Sequence, residues 1–171
     1  MIHIYFGDGK GKTSAAVGMA VRCAGREQKV LFVQFLKSSD TGERKILAKT
    51  PNVTLAPCPD KAPFTWEMNR EQRQKISQDL LMLFESTAAL AIKDRFRMVI
   101  FDEIFTAVSE KMFPEQDLYS FIADAPETLE VVMTGREASE KFIALADYAS
   151  EVRCIKHPMD KGVGARVGIE Y

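Results

Sequence analysis

The chain has 171 residues, a size at which one hydrophobic core serves a single domain and ~68–70% of the unfolded surface is buried. Its 23 basic and 24 acidic side chains leave a formal charge of -1, without the basic excess of a nucleic-acid binder, and charged residues break every apolar run well short of the ~20 residues of a membrane span. Three scattered cysteines and two histidines lack zinc-site spacing, so free thiols are expected, and a first strand that begins at once, without a charged leader, points to the cytoplasm.

In chain order, residues 2–6 read as a short strand, residues 7–11 as a glycine-rich turn and residues 12–26 as a helix. Residues 30–36 are nearly unbroken in their apolar character, the pattern of a strand buried on both faces of a parallel sheet. A loop over 37–42 precedes an irregular segment, 52–66, with a weak strand at 53–56 and prolines at or near it. Over 69–93, Ile76, Leu80, Leu83, Thr87 and Leu90 recur at steps of four and three and share one face of a long helix. Residues 98–101 form the next buried strand, and no helix is expected between it and one opening at Pro114 and running to 123. A strand at 129–133, a helix at 139–146 and one or two last strands at 152–155 and 165–171 complete the reading. Alternating strands and helices, with no repeat, low-complexity stretch or domain boundary, predict one domain over residues 1–171. The expected fold is an α/β sandwich whose mainly parallel sheet is flanked by helices, with its ligand site at the carboxyl ends of the strands.

The strongest local signal is Gly7-Asp8-Gly9-Lys10-Gly11-Lys12-Thr13-Ser14, between a strand and a helix, where backbone N–H groups and the helix N-terminus can surround a polyphosphate. Lys12 is placed to meet phosphate oxygens and Thr13 to ligate Mg²⁺. The standard pattern is one residue short, since its first glycine falls on Phe6. A ParA-like dimerising ATPase is excluded, because its extra lysine comes at the start of the loop, where this chain has Gly7. Asp102-Glu103 closes a buried strand and brings two carboxylates to the same end of the sheet, suited to hold Mg²⁺ directly or through water. The competing reading, a helix N-cap, is disfavoured by the lack of a following helix.

A glutamate beside such an aspartate also positions the attacking water in many ATPases, so hydrolase and transferase readings both stand, as does a regulatory ATP-binding module. Lys10, Arg22, Arg136, Lys156, His157, Lys161 and Arg166 are further candidates to neutralise phosphate, or equally a solvated surface. Phe64-Thr65-Trp66 sets the only tryptophan and a phenylalanine in the proline-rich segment, as a ligand platform or as a satellite-core plug.

With these features in place, nearly the whole chain resembles the P-loop corrinoid adenosyltransferases, which implies that the α/β sandwich is of the P-loop (RecA-like) kind. The resemblance runs through the shortened loop Gly7 to Thr13, Val33-Gln34-Phe35-Leu36-Lys37 with Gly42-Glu43, Phe64-Thr65-Trp66-Glu67, Asp102-Glu103, Thr134-Gly135-Arg136, and Lys156-His157-Pro158 through Gly168-Ile169-Glu170-Tyr171, in the family's order. Ser14, Phe105-Thr106, Glu137 and Met159 depart from the family pattern. The resemblance implies transfer of the 5′-deoxyadenosyl group of ATP to cobalt(I) of a reduced corrinoid, with tripolyphosphate leaving and the triphosphate held reversed relative to ordinary P-loop enzymes. It implies that residues 7–14 bind ATP, with Arg136 a further candidate, that Lys12, Thr13 and Glu103 act on the reaction, and that Thr13, Asp102 and Glu103 hold Mg²⁺. It further implies that Phe64 and Trp66 occupy the corrinoid's lower face, that a flavoprotein supplies electrons, that the protein is a homodimer, and that its role lies in adenosylcobalamin synthesis or salvage. Family members often cover the site with an N-terminal extension; with the first strand at residue 2, closure is expected from elsewhere.

Overall fold

Runs of β-branched and aromatic residues make the strands, and their alternation decides which helices cover them. A computed structural model describes residues 1–59 and 68–170. The elements in chain order are β1 (Ile2–Phe6), α1 (Lys12–Ala24), β2 (Val30–Gln34), α2 (Gly42–Leu47), β3 (Val53–Leu55), α3 (Arg70–Lys93) and β4 (Met98–Asp102). They continue with α4 (Ile104–Ser109), α5 (Glu115–Ala123), β5 (Glu130–Thr134), α6 (Glu140–Leu145) and β6 (Tyr148–Glu151), before one turn of 3-10 helix at Pro158–Lys161. The six strands form one parallel sheet in the order β3-β2-β4-β5-β1-β6, with Gln34 level with Asp102 and Tyr5 level with Thr134.

Both faces are covered, as the unbroken apolar runs require. Val30, Phe32, Met98, Ile100 and Val132 pack under Ala16, Ala20 and Ala24 of α1 and Leu47 of α2. Alanines on that face of α1 let the helix lie close to the strands and set its first residue, Lys12, at the sheet's carboxyl edge. Leu31, Val33, Val99, Phe101, Val131 and Met133 point the other way, into a core with residues of α3 to α6 that holds edge-on aromatic contacts such as Phe84 to Phe113 at 5.0 Å. α3 opens on a capping box, in which Asn69 and Gln72 exchange side-chain-to-backbone bonds of 2.9 Å each.

The structure corrects the sequence reading in several places. A helix, α4, follows β4 directly: Ile-Phe-Thr-Ala-Val-Ser has poor intrinsic helix propensity, yet burial of Ile104, Phe105 and Ala107 holds it in place. α2 is a second unexpected helix, at the end of the predicted loop. β2 stops at Gln34 because Leu36 takes a left-handed conformation, φ 54°. The last strand is Tyr148–Glu151, exposed throughout, since an edge strand has no need of an apolar sequence; residues 152–155 instead lie against the glycine-rich loop. Residues 165 and 166 are irregular and 167–170 are turn rather than strand, with Gly168 at φ 75°. Tyr171 and the Phe64-Thr65-Trp66 segment lie outside the described residues.

Candidate active site

The loop after β1 is shaped by contacts that only glycine allows. Gly7, at φ 114°, donates its N–H to the Arg136 carbonyl at 2.8 Å, and a Cβ there would stand 2.3 Å from the Val152 carbonyl oxygen. Gly9 donates to that same Val152 carbonyl at 2.8 Å, and its own Cβ would come within 2.7 Å of the Arg153 backbone. Asp8 is the hinge pin between loop and tail: its carboxylate accepts from the Cys154 N–H at 3.0 Å, the bond that chiefly holds its pKa below the ordinary value. The loop is therefore clamped by the segments that follow β5 and β6, the strands on either side of β1.

Lys12, 9% exposed at the first turn of α1, donates to the Gly9 carbonyl at 2.7 Å. Burial pushes its ammonium below the ordinary lysine pKa, while Glu103, Asp8 and Asp102 pull it back up and Arg136 pushes it further down. A desolvated cation with a single backbone partner among the described residues is primed for an incoming anion.

Asp102, wholly buried at the end of β4, is the anionic centre. One carboxylate oxygen accepts from Thr13 Oγ1 at 3.0 Å and Thr134 Oγ1 at 2.7 Å; the other accepts from Gln34 Nε2 at 3.2 Å and Lys37 Nζ at 2.7 Å. Thr13 comes from α1, Thr134 from the end of β5, and Gln34 and Lys37 from the end of β2 and the loop after it, so the sheet's register assembles the cluster. Gln34 is itself held: it donates to Glu43 Oε1 at 3.0 Å and accepts from Arg44 Nη1 at 3.3 Å.

Glu103 stands at the N-cap of α4 with φ 64°, an unfavourable conformation for a non-glycine residue. Its N–H donates to Thr134 Oγ1 at 2.9 Å, and its side chain accepts from Thr106 Oγ1 at 2.5 Å rather than capping the helix. The helix whose expected absence argued for a metal role therefore exists, but the carboxylate does not serve it. Thr106 Oγ1 in turn accepts from the Arg136 N–H at 3.2 Å, and Gly135 passes so close to Phe105 that a Cβ would stand 2.5 Å away.

These groups surround a polar cavity of about 430 Å³ lined by Gly9 to Ser14, Lys37, Gly42, Glu43 and Glu103 on one wall and by Gly168 to Glu170 on the other. Lys37 also borders a second, mainly apolar cavity of about 610 Å³, between the loop after β2, Pro57-Cys58-Pro59 and the Ile76, Leu80 and Leu83 face of α3. A polyphosphate-sized pocket thus opens beside an apolar one at the carboxyl edge of a parallel sheet.

Residues 1–171 match the family described as ATP:corrinoid adenosyltransferase BtuR/CobO/CobP. The chain belongs to the ATP:corrinoid adenosyltransferase family. The corrinoid adenosyltransferase of Escherichia coli (strain K12) is 32% identical over 173 residues, which cover 100% of this chain and 85% of that protein. Corrinoid adenosyltransferase CobA of Salmonella typhimurium (strain LT2) is 32% identical over 100% of this chain and 85% of its own length; that of a Sinorhizobium species is 31% identical, over 100% and 80%. Membership in a family so named makes the chain an enzyme of the transferase class.

Of the residues singled out in this adenosyltransferase sequence, Gly9, Lys10, Gly11, Lys12, Thr13, Ser14 and Glu103 line the phosphate-sized cavity, with Asp102 bonded to Thr13 behind them. Gly7 and Asp8 shape the loop from its far side, where Arg136 and Arg153 border a separate depression. Lys10 is paired at 2.9 Å with Glu170, and Arg166 with the same carboxylate at 3.0 Å. Arg22 lies in the last turn of α1, at the opposite end of that helix from the loop. Sequence reasoning assigned no role to Lys37, Gln34, Thr134 or Thr106. Two of these carried a signal: Gln34 and Thr134 are polar residues ending strands that are otherwise apolar, and a buried polar group needs a partner.

Proposed function

We propose that the protein transfers the 5′-deoxyadenosyl group of ATP to the cobalt(I) of a reduced corrinoid, releasing tripolyphosphate. The observation that carries this reading is the pairing, in a member of this family, of a preformed polyphosphate cavity with an apolar cavity across the single side chain of Lys37. ATP would place its phosphates over the Gly9 to Ser14 backbone and the Lys12 ammonium, while a large, mainly apolar macrocycle would lie in the neighbouring cavity. Phe64 and Trp66 fall in sequence between Pro59 and Gln72, two residues that line that second cavity, which supports their assignment to the corrinoid's lower face.

Cobalt(I) is a strong nucleophile, so attack at C5′ needs no general base; the Co–C bond forms as the C5′–O bond breaks, and the electron pair leaves with the tripolyphosphate. The protein's share is then orientation and charge stabilisation. Lys12, already desolvated, meets the growing charge on the leaving oxygens without solvent reorganisation. The hydroxyl of Thr13 and the carboxylates of Asp102 and Glu103 are hard oxygen donors that suit Mg²⁺ held by one or two carboxylates plus substrate phosphates. Among the described residues no cluster of three or more His, Cys, Asp or Glu could form an all-protein cage, which agrees with a metal that arrives with its nucleotide. When bound, Mg²⁺ would supply Lewis-acid neutralisation of the triphosphate.

The reading further takes the protein as a homodimer that receives electrons from a flavoprotein and works in the cytoplasm in adenosylcobalamin synthesis or salvage. Among the described residues no helix is long and apolar enough to cross a membrane. The deciding experiment incubates the protein anaerobically with ATP, Mg²⁺ and chemically reduced corrinoid. The expected products are one tripolyphosphate and one alkylated corrinoid per ATP. Orthophosphate and ADP formed at the same rate with or without corrinoid would instead identify a nucleotide hydrolase in which Glu103 orients water.

A further inference from the structure

The position beside Thr13 and Asp102 that the proposed function gives to a divalent cation holds a cation of the protein's own. The Lys37 ammonium stands 2.8 Å from Thr13 Oγ1 and 2.7 Å from Asp102 Oδ2, with Glu43 Oε1 at 3.8 Å. Asp102 is wholly buried, and an anion so placed requires a compensating positive charge. The loop lysine does not provide a direct bond, since Lys12 donates to the Gly9 carbonyl.

A metal bonded to the Thr13 hydroxyl would lie ~2.0–2.1 Å from an oxygen that the ammonium already contacts, so the two like charges could not both remain. Lys37, by contrast, can leave. Its side chain is 22% exposed, it extends from the loop after β2 on a flexible four-carbon stem, and it lines the cavity into which phosphates would enter.

We propose that Lys37 is a place-holding cation: its ammonium occupies the divalent-cation position of the nucleotide-free site and gives it up when ATP brings the metal, its own charge passing to the polyphosphate. This rests on the reading of Thr13 and Asp102 as metal-site residues. Without nucleotide, an entering metal must expel Lys37 into a cavity whose carboxylates other than Glu43 already have partners, Glu103 in Thr106 and Glu170 in Lys10 and Arg166. With nucleotide, the polyphosphate supplies that partner. Metal and nucleotide are therefore coupled through one side chain, and the protein resists loading with metal alone.

The test is Mn²⁺ binding to the whole, nucleotide-free protein, followed by electron paramagnetic resonance. The Lys37→Met variant is expected to bind Mn²⁺ at least ~10-fold more tightly than the parent, because the competing charge is gone, while Lys37→Arg stays near the parent. The melting temperature of Lys37→Met without metal should fall, since Asp102 has lost its cation, and should recover on adding Mn²⁺. Should the methionine variant not fold, Lys37→Gln, which keeps a donor for Asp102 but no charge, answers the same question. Equal or weaker Mn²⁺ binding by the uncharged variant would overturn the inference, because Lys37 would then be no competitor. Asp102→Asn, measured with ATP present, separates this from failure of the underlying reading. If it leaves Mn²⁺ binding unchanged, the metal-site assignment has failed. If it weakens binding while loss of the Lys37 charge does not tighten it, only the role of Lys37 has.

Discussion

The two walls of the phosphate-sized cavity are built in opposite ways. One is formed where β1, β2, β4 and β5 end: Lys12 is nearly buried, Asp102 is wholly so, and the carboxylate of Asp102 is tied to partners from several elements. The other is the tail, residues 168–170, in which Ile169 is 55% exposed beside Val167 at 78%, and which among the described residues reaches the loop through one carboxylate, Glu170. Groups that must be fixed to within fractions of an ångström belong on the first kind of wall, because a twisted sheet with helices on both faces cannot shift one strand end alone. A wall with little buried apolar surface sits at the low-stability end of a molecule and can open to admit a ligand.

The contrast is sharpest at glycine. Gly7→Ala would force φ 114° on an alanine and drive its Cβ into the Val152 carbonyl, so a loss of ~3 kcal/mol or more and abolished adenosyl transfer are expected. Gly168→Ala, at φ 75° with nothing within 4 Å, should cost about 1 kcal/mol, confined to the tail. Thermal melting and turnover on both variants check the pair. Comparable global destabilisation by the two would mean that the tail is as integral to the fold as the strand ends.

Asp102→Ala should be next in size. It strands the Lys37 ammonium and leaves the hydroxyls of Thr13 and Thr134 without their acceptor, an expected loss of ~3 kcal/mol by denaturant unfolding. Lys12→Ala separates stability from function on the same wall. Its charge is already disfavoured by burial, so the variant should melt close to the parent, yet lose at least ~10-fold in turnover, about 1.4 kcal/mol of transition-state stabilisation. A variant that melted early but turned over normally would mean that Lys12 is structural.

The smallest effect concerns the tail's tether. Glu170 is held down to about 2 first by the Arg166 side chain and then by Lys10. Since the folded value lies below the ordinary 4.5, its contribution is complete above that value and is lost as pH falls from there toward about 2. Limited proteolysis at the tail should therefore be unchanged near neutrality, rise only across that acidic window in the parent, and be raised at every pH in Glu170→Gln. A cleavage profile that rose between neutrality and 4.5 would assign the tether to another group.

The chain's own pattern was enough for the parallel sheet, the long helix with Leu80 and Thr87 on its buried face, and the loop whose Lys12 and Thr13 start α1. Each depends on local periodicity or on a turn that glycine alone permits. It was also enough to bring Asp102-Glu103 to the same edge, because a buried apolar strand has to end where the charge begins. Three kinds of feature were not legible. α4 exists because Ile104, Phe105 and Ala107 are buried against β5 and its neighbours, an energy no local propensity carries. β6 is exposed on an edge and so leaves no apolar mark. The role of Lys37 arises only when β2 and β4 lie side by side, since residues 65 positions apart in sequence meet at 2.7 Å through strand register. Sequence determined what the strands and the phosphate loop are made of, because periodicity and glycine act over a few residues. Tertiary structure alone decided which charge faces which, because a buried ion's partner is chosen by the packing of distant elements.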